Sequence, residues 1–212
     1  EGIRFIKSFK RIFQSLILVT FSQALVATLA VLAPGFSDRV LSIDLNDASF
    51  LVMGPAAFGL IIGAIFVGSY GVKFLKGSLI SYGILLIGVS LILLSLLTKA
   101  NISTLEVEII TKTISISNLT IAMILLFIIG ISNSFIIVPS STILQEETNS
   151  DMRGRIYGVL TAATGGVSLL PVIFSGVLAD IVGVSRALSI IGITVLIIGA
   201  YNIIQRKMQI QI

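Results

Sequence analysis

The chain has 212 residues, of which 56% are hydrophobic and only 11% are charged, and its mean hydropathy is +1.11. Soluble domains carry roughly 25% charged residues, so this composition argues against a water-soluble domain and indicates a membrane protein. Cys and His are both absent, which removes disulfides, thiolate chemistry, imidazole bases and the usual zinc ligands. The net charge of +4 does not indicate nucleic-acid binding, because the basic residues lie at the ends of apolar runs.

Six uncharged stretches bounded by charged residues predict six transmembrane helices, at 12–37, 48–72, 77–98, 119–144, 156–179 and 187–205. Each stretch can cross the roughly 30 Å hydrocarbon core, which takes about 20 helical residues. The runs are continuously apolar, whereas a β-barrel would show alternating strands of about ten residues. The predicted fold class is therefore an all-α membrane protein.

Three segments outside these spans have their own character. Residues 1–11 predict a short cytoplasmic amphipathic lead-in, and 206–212 a cytoplasmic tail. The loop 99–118 alternates polar and apolar residues and is rich in β-branched side chains, which suits either a small hairpin or an ordered loop. Because the chain opens on Glu1 without a signal peptide, we expect a piece of a longer protein.

The distribution of Lys and Arg predicts the orientation in the membrane. Six spans place both termini on one side, where Arg4, Lys7, Lys10, Arg11, Lys73, Lys76, Arg153, Arg155, Arg206 and Lys207 lie. The other side has Arg39, Lys99, Lys112 and Arg186. Basic residues concentrate on the cytoplasmic side of membrane proteins, so we expect a multi-pass cell-membrane protein with both ends in the cytoplasm.

The six spans sort into two similar triplets. Spans 1 and 4 carry amides near the middle of the membrane, Gln23 in span 1 and Asn133 between Ser132 and Ser134 in span 4. Spans 3 and 6 are nearly all aliphatic. Spans 2 and 5 are rich in small residues, namely Gly59, Gly63, Gly68, Gly71, Gly154, Gly158, Ala162 and Gly166. Three spans repeated once run in opposite directions, as in the inverted three-plus-three repeat of a transporter half.

Prolines and loop sequences repeat as well. Pro34 and Pro139 lie toward the far ends of spans 1 and 4, and Pro171 lies in span 5. Pro139 and Pro171 predict kinks in their helices, either static or acting as hinges. The sequence GSYGVKFLKGSLIS from Gly68 aligns with GVLADIVGVSRALS from Gly176, so the 2–3 and 5–6 junctions correspond.

Four segments carry a family resemblance: Glu1 to Phe5, Pro139 to Gln145, Arg153 to Arg155, and Gly176 to Gly183 with its Leu-Ala-Asp. In this order they resemble the entry to the seventh helix, the tenth helix, the inner loop after it and the end of the eleventh helix of major facilitator superfamily transporters. The whole chain is thus similar to the carboxy-terminal half of such a transporter. Within the superfamily it resembles the bacterial drug, macrolide and siderophore exporters.

The cytoplasmic signature of that superfamily, G-x-x-x-D-R-x-G-R-R, is kept only in part. In the loop between spans 2 and 3, Gly68, Lys73 and Lys76 fit the pattern. Val72 replaces the acid and Leu75 replaces the second glycine. This departure weakens a gating role for the loop but does not affect the expected fold.

The resemblance implies that the first and fourth spans line a central cavity, the second and fifth pack against the other half, and the third and sixth face lipid. It places Gln23, Ser132, Asn133 and Ser134 on the substrate cavity, where amides can both donate and accept hydrogen bonds. The alternative is that these side chains bond neighbouring helices, at about 0.6 kcal/mol each. The expected packing positions between the halves are Gly59, Gly63, Gly158, Ala162 and Gly166.

Charged residues near the loops are candidates for a gate. Arg153 and Arg155 could pair with Glu146, Glu147 or Asp151 when the cytoplasmic side closes. Exposed ion pairs are weak, so setting the topology is the simpler role for these arginines. Lys73, Lys76 and Asp180 complete the set of gating and loop candidates.

The absence of charged residues from the middle of the spans bears on how transport is driven. No charged residue lies in the middle of a span, although a buried acid or lysine is the usual proton relay. If transport is proton-driven, we expect the coupling acid in the missing half, with Asp38 and Asp180 as weak local candidates. No nucleotide-binding P-loop occurs, so nothing suggests ATP drive.

The resemblance therefore implies a secondary active transporter that exports a small amphipathic molecule by alternating access. Its partners would be that substrate, the lipid bilayer and a missing N-terminal six-helix half, with no cofactor. A carrier for a lipid or nutrient and a self-sufficient six-helix protein stay open as alternatives. We do not expect an enzyme, because a rhomboid protease needs a histidine beside its serine and a zinc protease needs H-E-x-x-H.

Overall fold

The computed structural model describes residues 10–37, 49–70, 76–99, 105–109, 112–116, 118–148, 152–167 and 169–210. Most of the predicted lead-in 1–11, Lys73 of the loop candidates, and the acids Asp38 and Asp151 lie outside these residues. Their predicted roles therefore stay predictions.

In the described part of the chain, six helical segments are long and apolar enough to cross a membrane. They form an all-α, integral membrane protein, as the composition predicts. The helices are α1 (Lys10–Phe36), α2 (Gly54–Tyr70), α3 (Lys76–Lys99), α4 (Asn118–Glu146), α5 (Arg153–Ala162), α6 (Leu169–Val182) and α7 (Val184–Ile210). A π-helical turn, Ser49–Met53, precedes α2. The fifth span consists of α5, a second π turn (Ala163–Val167) and α6.

Two of the connections between helices have defined conformations. Gly183 closes α6 with a φ of +88°, a backbone conformation that glycine adopts without steric cost. The chain then turns at once into α7. Between α3 and α4, the strands β1 (Leu105–Ile109) and β2 (Lys112–Ile116) pair antiparallel as a hairpin, which is one of the two forms that the sequence allowed for this loop.

The second span of each triplet packs against the first span of the other triplet. In α2 and α4, Phe58 contacts Phe127 and Phe66 contacts Phe135, with ring centroids 6.1 and 6.2 Å apart. Residue numbers increase on both helices from the first pair to the second, so α2 and α4 run in the same direction. The fifth span lies along α1 in the same manner.

The direction of the fifth span relative to α1 follows from two contacts. Ile12 shares a buried cluster with Ile156, and a Cβ at Gly176 would lie 3.8 Å from Val31. These two helical segments are therefore parallel. Together with the α2–α4 pair, they give the exchanged packing that two inverted triplets produce.

The first span of one triplet lies antiparallel to the first span of the other triplet. The two third spans, α3 and α7, also form an antiparallel pair. Between α3 and α7, Ser95 Oγ donates to the Ser185 carbonyl at 2.7 Å, and a Cβ at Gly88 would lie 2.6 Å from Leu196. Residue numbers fall on α7 as they rise on α3, so equivalent helices of the two triplets point in opposite directions. The inverted three-plus-three arrangement predicted from the sequence is thus present in the packing.

The core lies where α1, α3, α4 and α7 meet, around fully buried residues such as Ile84, Leu91, Ile136 and Leu188. Burial differs strongly between the spans. In α3, 61% of the apolar window is buried, against 22% in the second span and 12% in the fifth. The second and fifth spans therefore leave most of their surface uncovered by this chain.

Candidate functional site

Asn133 lies in the middle of α4 and is only 3% exposed. Its Oδ1 accepts a hydrogen bond from Ser22 Oγ of α1 at 2.7 Å. Its Nδ2 is buried and has no hydrogen-bond partner among the residues that the structure describes. The amide thus joins α1 to α4 through one end and has an unused donor at the other.

The two serines beside Asn133 are also buried and bond to carbonyl groups. Ser132 Oγ donates to the Ile128 carbonyl of its own helix at 2.7 Å. Ser134 Oγ donates to the Leu60 carbonyl of α2 at 2.7 Å, so it links α4 to α2. These contacts agree with the alternative that the side chains form hydrogen bonds within the helix bundle. That Ser132, Asn133 and Ser134 line a substrate cavity stays a prediction.

Gln23 has a different environment from Asn133. Its side chain is exposed on α1, while the preceding Ser22 faces Asn133. It shares the exposed face with Val26, Ala30 and Pro34. The structure therefore does not bring the two mid-membrane amides together within this chain, and only Gln23 is open to a ligand or a second half.

The small residues of α2 serve a contact inside this six-helix unit. A Cβ at Gly59 would lie 2.1 Å from the Phe127 carbonyl oxygen, and one at Gly63 would lie 2.9 Å from the Ile131 carbonyl oxygen. Both glycines are buried. They allow α2 and α4 to approach closely, so the surface expected to meet a second half does not include them.

Sequence reasoning missed the glycine on the other side of that contact. A Cβ at Gly130 of α4 would lie 2.0 Å from the Ala56 carbonyl oxygen of α2. The available signal was the position of Gly130, about one helical turn before Asn133. The sequence does not show which helix a single glycine in a long apolar run contacts.

The small residues of the fifth span are placed differently. Gly158, Ala162 and Gly166 are exposed. Within the described residues, nothing lies within 4 Å of a Cβ built at Gly158 or Gly166. Among the residues that the structure describes, nothing covers these two glycine positions, and the predicted contact of the stripe with another half stays a prediction.

Two exposed ion pairs join the end of α4 to the starts of α1 and α3. Arg11 Nη1 lies 3.0 Å from Glu147 Oε1, and Lys76 Nζ donates to Glu146 Oε2. Arg153 and Arg155 are exposed at the start of α5, and their predicted pairing with these glutamates when the cytoplasmic side closes stays a prediction. Arg11 was missed as a partner because its contact with Glu147 joins residues 136 positions apart in the sequence and depends on the antiparallel packing of α1 and α4.

Asp180, the remaining loop candidate, lies exposed near the end of α6 at the opposite end of the bundle. It lines a shallow cavity of about 260 Å³ together with Gly35, Gly176 and Val184. Among the residues described, no group of three or more Asp, Glu, His or Cys side chains could hold a metal ion.

A larger cavity of about 540 Å³ lies at the end of the bundle that carries both ion pairs. Arg11, Lys76, Glu146 and Glu147 form its charged edge. The rest of its lining is mixed, with the apolar Leu18, Ile80 and Ile143 beside the polar Gln14, Ser15 and Asn202. The arrangement offers both signs of charge next to a hydrophobic surface.

Comparison with known proteins gives one similarity to a transporter. The chain is 30% identical over 92 residues to an uncharacterized MFS-type transporter, YfiS, of Bacillus subtilis (strain 168). The match covers 43% of this chain but only 22% of the relative, so it spans well under two thirds of that protein. No protein-family model matches the chain, and no solved structure matches it. The similarity supports the resemblance to the major facilitator superfamily.

Proposed function

We propose that this chain is the carboxy-terminal half of a secondary active transporter of the major facilitator type. It works by alternating access and exports a small amphipathic molecule from the cytoplasm across the cell membrane. Export is coupled to protons, with the coupling acid in the amino-terminal half. The similarity to an MFS-type transporter covers part of the chain and is the first support for this proposal.

The packing of the six spans is the observation on which the proposal chiefly rests. The exchanged, inverted triplets are the architecture of transporter halves. Such a unit transports only when it encloses a pathway with a second unit. The second and fifth spans are the least buried in this chain, and they supply the surface on which a second unit would pack.

The exposed stripe at Gly158, Ala162 and Gly166 suits a surface that must slide or rock. Small side chains let helices approach closely without interlocking. We therefore assign this stripe to the contact between halves, and Gln23, on the exposed face of α1, to the wall of the pathway. An amide there can bond a polar group of the substrate in either direction.

The test is accumulation of a panel of amphipathic dyes and antibiotics in cells that express the full-length protein. We expect lower accumulation than in cells without it, and a return to the control level when a proton uncoupler is added. A matched pair of variants, Gln23→Leu and Phe13→Leu, separates the pathway from the rest of α1. Both residues are exposed on α1, and only Gln23→Leu should change the substrate profile.

Efflux that persists under the uncoupler would remove proton coupling. Accumulation that rises above the control level would instead support a carrier working inward. No change with any compound, from a protein shown to be in the membrane, would contradict the export proposal.

A further inference from the structure

The hairpin between α3 and α4 lies outside the six spans and has an unpaired edge on each strand. Strands β1 and β2 contact each other extensively, and no helix in the described part of the chain makes comparable contact with either of them. Among the described residues the sheet has these two strands alone. An isolated two-stranded hairpin is at best marginally stable in water, whereas three or more strands with an apolar face can be stable. Further strands would therefore stabilise this hairpin.

The pairing register separates apolar from polar residues on the two faces of the hairpin. Successive residues of a strand lie on opposite faces, and directly paired residues share a face. Aliphatic and polar pairs alternate along the hairpin, so one face is aliphatic and the other is polar. The aliphatic pairs are Leu105–Ile116 and Val107–Ile114, and the polar pairs are Glu106–Ser115 and Glu108–Thr113.

The register also determines which backbone groups point away from the hairpin. Ile109 pairs with Lys112, so two residues connect the strands, and a connection of this length lets the last pair exchange backbone hydrogen bonds. The next pair, Glu108 with Thr113, exchanges none, and the alternation continues along both strands. Thr113 and Ser115 therefore direct their N–H and C=O groups outward at the edge of β2.

The two edges differ in charge. On β1 the residues with outward backbone groups are the acids Glu106 and Glu108, whereas on β2 they are the uncharged Thr113 and Ser115. Charged residues on an edge strand are a common means by which proteins prevent sheets from joining. The edge of β1 is thus protected against pairing, and the edge of β2 is open to it.

We propose that two copies of this chain dimerise by joining their β2 strands antiparallel, edge to edge, into a four-stranded sheet. Thr113 of one copy lies opposite Ser115 of the partner subunit, and Ile114 lies opposite Ile114 of the partner subunit. The hairpins form the two halves of the sheet, with β1 outermost on each side. This interface lies within the chain and does not depend on the transport function proposed above.

The sequence of β2 suits pairing with a second copy of itself. Around Ile114 it reads Thr-Ile-Ser, so antiparallel pairing places a hydroxyl residue opposite a hydroxyl residue twice, which is a favourable cross-strand combination. The same arrangement of two β1 strands would place Glu106 opposite Glu108 of the partner subunit, and like charges directly opposite each other are destabilising. The charges therefore select β2 as the joining strand.

The symmetry of such a dimer agrees with its place in a membrane. Two copies in one membrane have the same orientation, so a closed dimer has its two-fold axis along the membrane normal. Antiparallel strands joined edge to edge are related by a two-fold axis perpendicular to their sheet. The joined sheet then lies parallel to the membrane surface, and the aliphatic residues of both copies share one of its faces.

Disulfide cross-linking in membranes tests the proposal. The chain contains no cysteine, so Ile114→Cys in the full-length protein, with any cysteines outside this chain replaced by serine, reports on a single position. Paired residues that exchange no backbone hydrogen bonds have Cα atoms about 4.5 Å apart, which is within reach of a disulfide. After oxidation with copper phenanthroline, we expect a dimer band on a non-reducing gel.

Val107→Cys is the matched control, because Val107 pairs with Ile114 and lies on the same face of the other strand. In the joined sheet, the two copies of this position are three strand spacings apart, about 14 Å, which is too far for a disulfide. The dimer band should therefore be lost. Equal cross-linking of the two variants would indicate random collision and would overturn the proposal, as would the absence of a dimer band from Ile114→Cys.

Proline substitutions in the Ile114→Cys protein distinguish the two edges. Thr113→Pro and Glu108→Pro each remove an outward N–H that the hairpin does not use, and proline is tolerated at such edge positions. Only Thr113→Pro removes a donor from the joined edge, so it should abolish the dimer band while Glu108→Pro keeps it. The same effect of both proline changes, in either direction, would contradict pairing through β2.

Discussion

Asn133 has one end of its amide bonded and the other end free of described partners, in a position that is almost fully buried. Burying an amide without a hydrogen-bond partner costs free energy, whereas burying an apolar side chain at the same position does not. The Ser22 hydroxyl recovers part of that cost and joins α1 to α4. The pair therefore holds two antiparallel helices in register, whatever else the free Nδ2 binds.

We expect Ser22→Ala to lower the free energy of unfolding by about 1–3 kcal/mol, because it leaves the whole Asn133 amide buried without a partner. Adding Asn133→Leu should restore part of this loss, since the buried amide is then removed. A double-mutant cycle by thermal unfolding in detergent measures the coupling. A double variant that is less stable than the sum of its single changes would contradict a direct Ser22–Asn133 bond. Transport lost in a stable Asn133→Leu variant would reveal a ligand role for Asn133.

At the scale of the elements, glycines decide which helices come close. Helices α2 and α4 approach at Gly59, Gly63 and Gly130, where carbonyl groups of the partner helix occupy the space of a side chain. Without a hydrophobic effect between helices in lipid, such close packing is a main source of association. The α1–α7 pair, by contrast, makes few contacts.

Gly130→Ala should lower the free energy of unfolding by about 1–3 kcal/mol, because overpacking a tight contact forces the backbones apart. The added Cβ would lie 2.0 Å from the Ala56 carbonyl oxygen, and a backbone atom cannot rotate away. Gly54→Ala at the start of α2 is the matched control, since nothing described lies within 4 Å of its Cβ position. It should change stability by no more than about 1 kcal/mol. Equal melting temperatures for the two variants would contradict the close contact.

At the scale of the whole molecule, the six helices form a core with an uneven surface. Helix α3 is mostly enclosed and exposes a single apolar stripe with Tyr82, Leu86, Val89 and Leu93, which suits contact with lipid. The second and fifth spans leave most of their surface uncovered. Of these two, only the fifth has an exposed run of small residues at regular spacing.

Ala162→Leu should reduce transport by the full-length protein, because we propose that this position meets the other half. Ala200→Leu on α7 is the matched control, the same change at another exposed alanine. It should leave transport unchanged if α7 faces lipid there. Uptake or efflux assays with equal amounts of the two variants in the membrane compare them. Equal activity would contradict a contact between halves at Ala162.

A continuously apolar run that crosses about 30 Å of hydrocarbon satisfies its backbone groups as a helix. Composition, hydropathy and the order of polar, small-residue and aliphatic spans therefore determined the membrane class, the six helices and the paired triplets. They could not assign partners to individual side chains. Glycines on α2 that suited a surface between halves proved to face α4, and the pairing of Glu147 with Arg11 was not predicted. Tertiary packing decided these points because a helical stripe shows which residues share a face, whereas the arrangement of the other helices determines what that face meets.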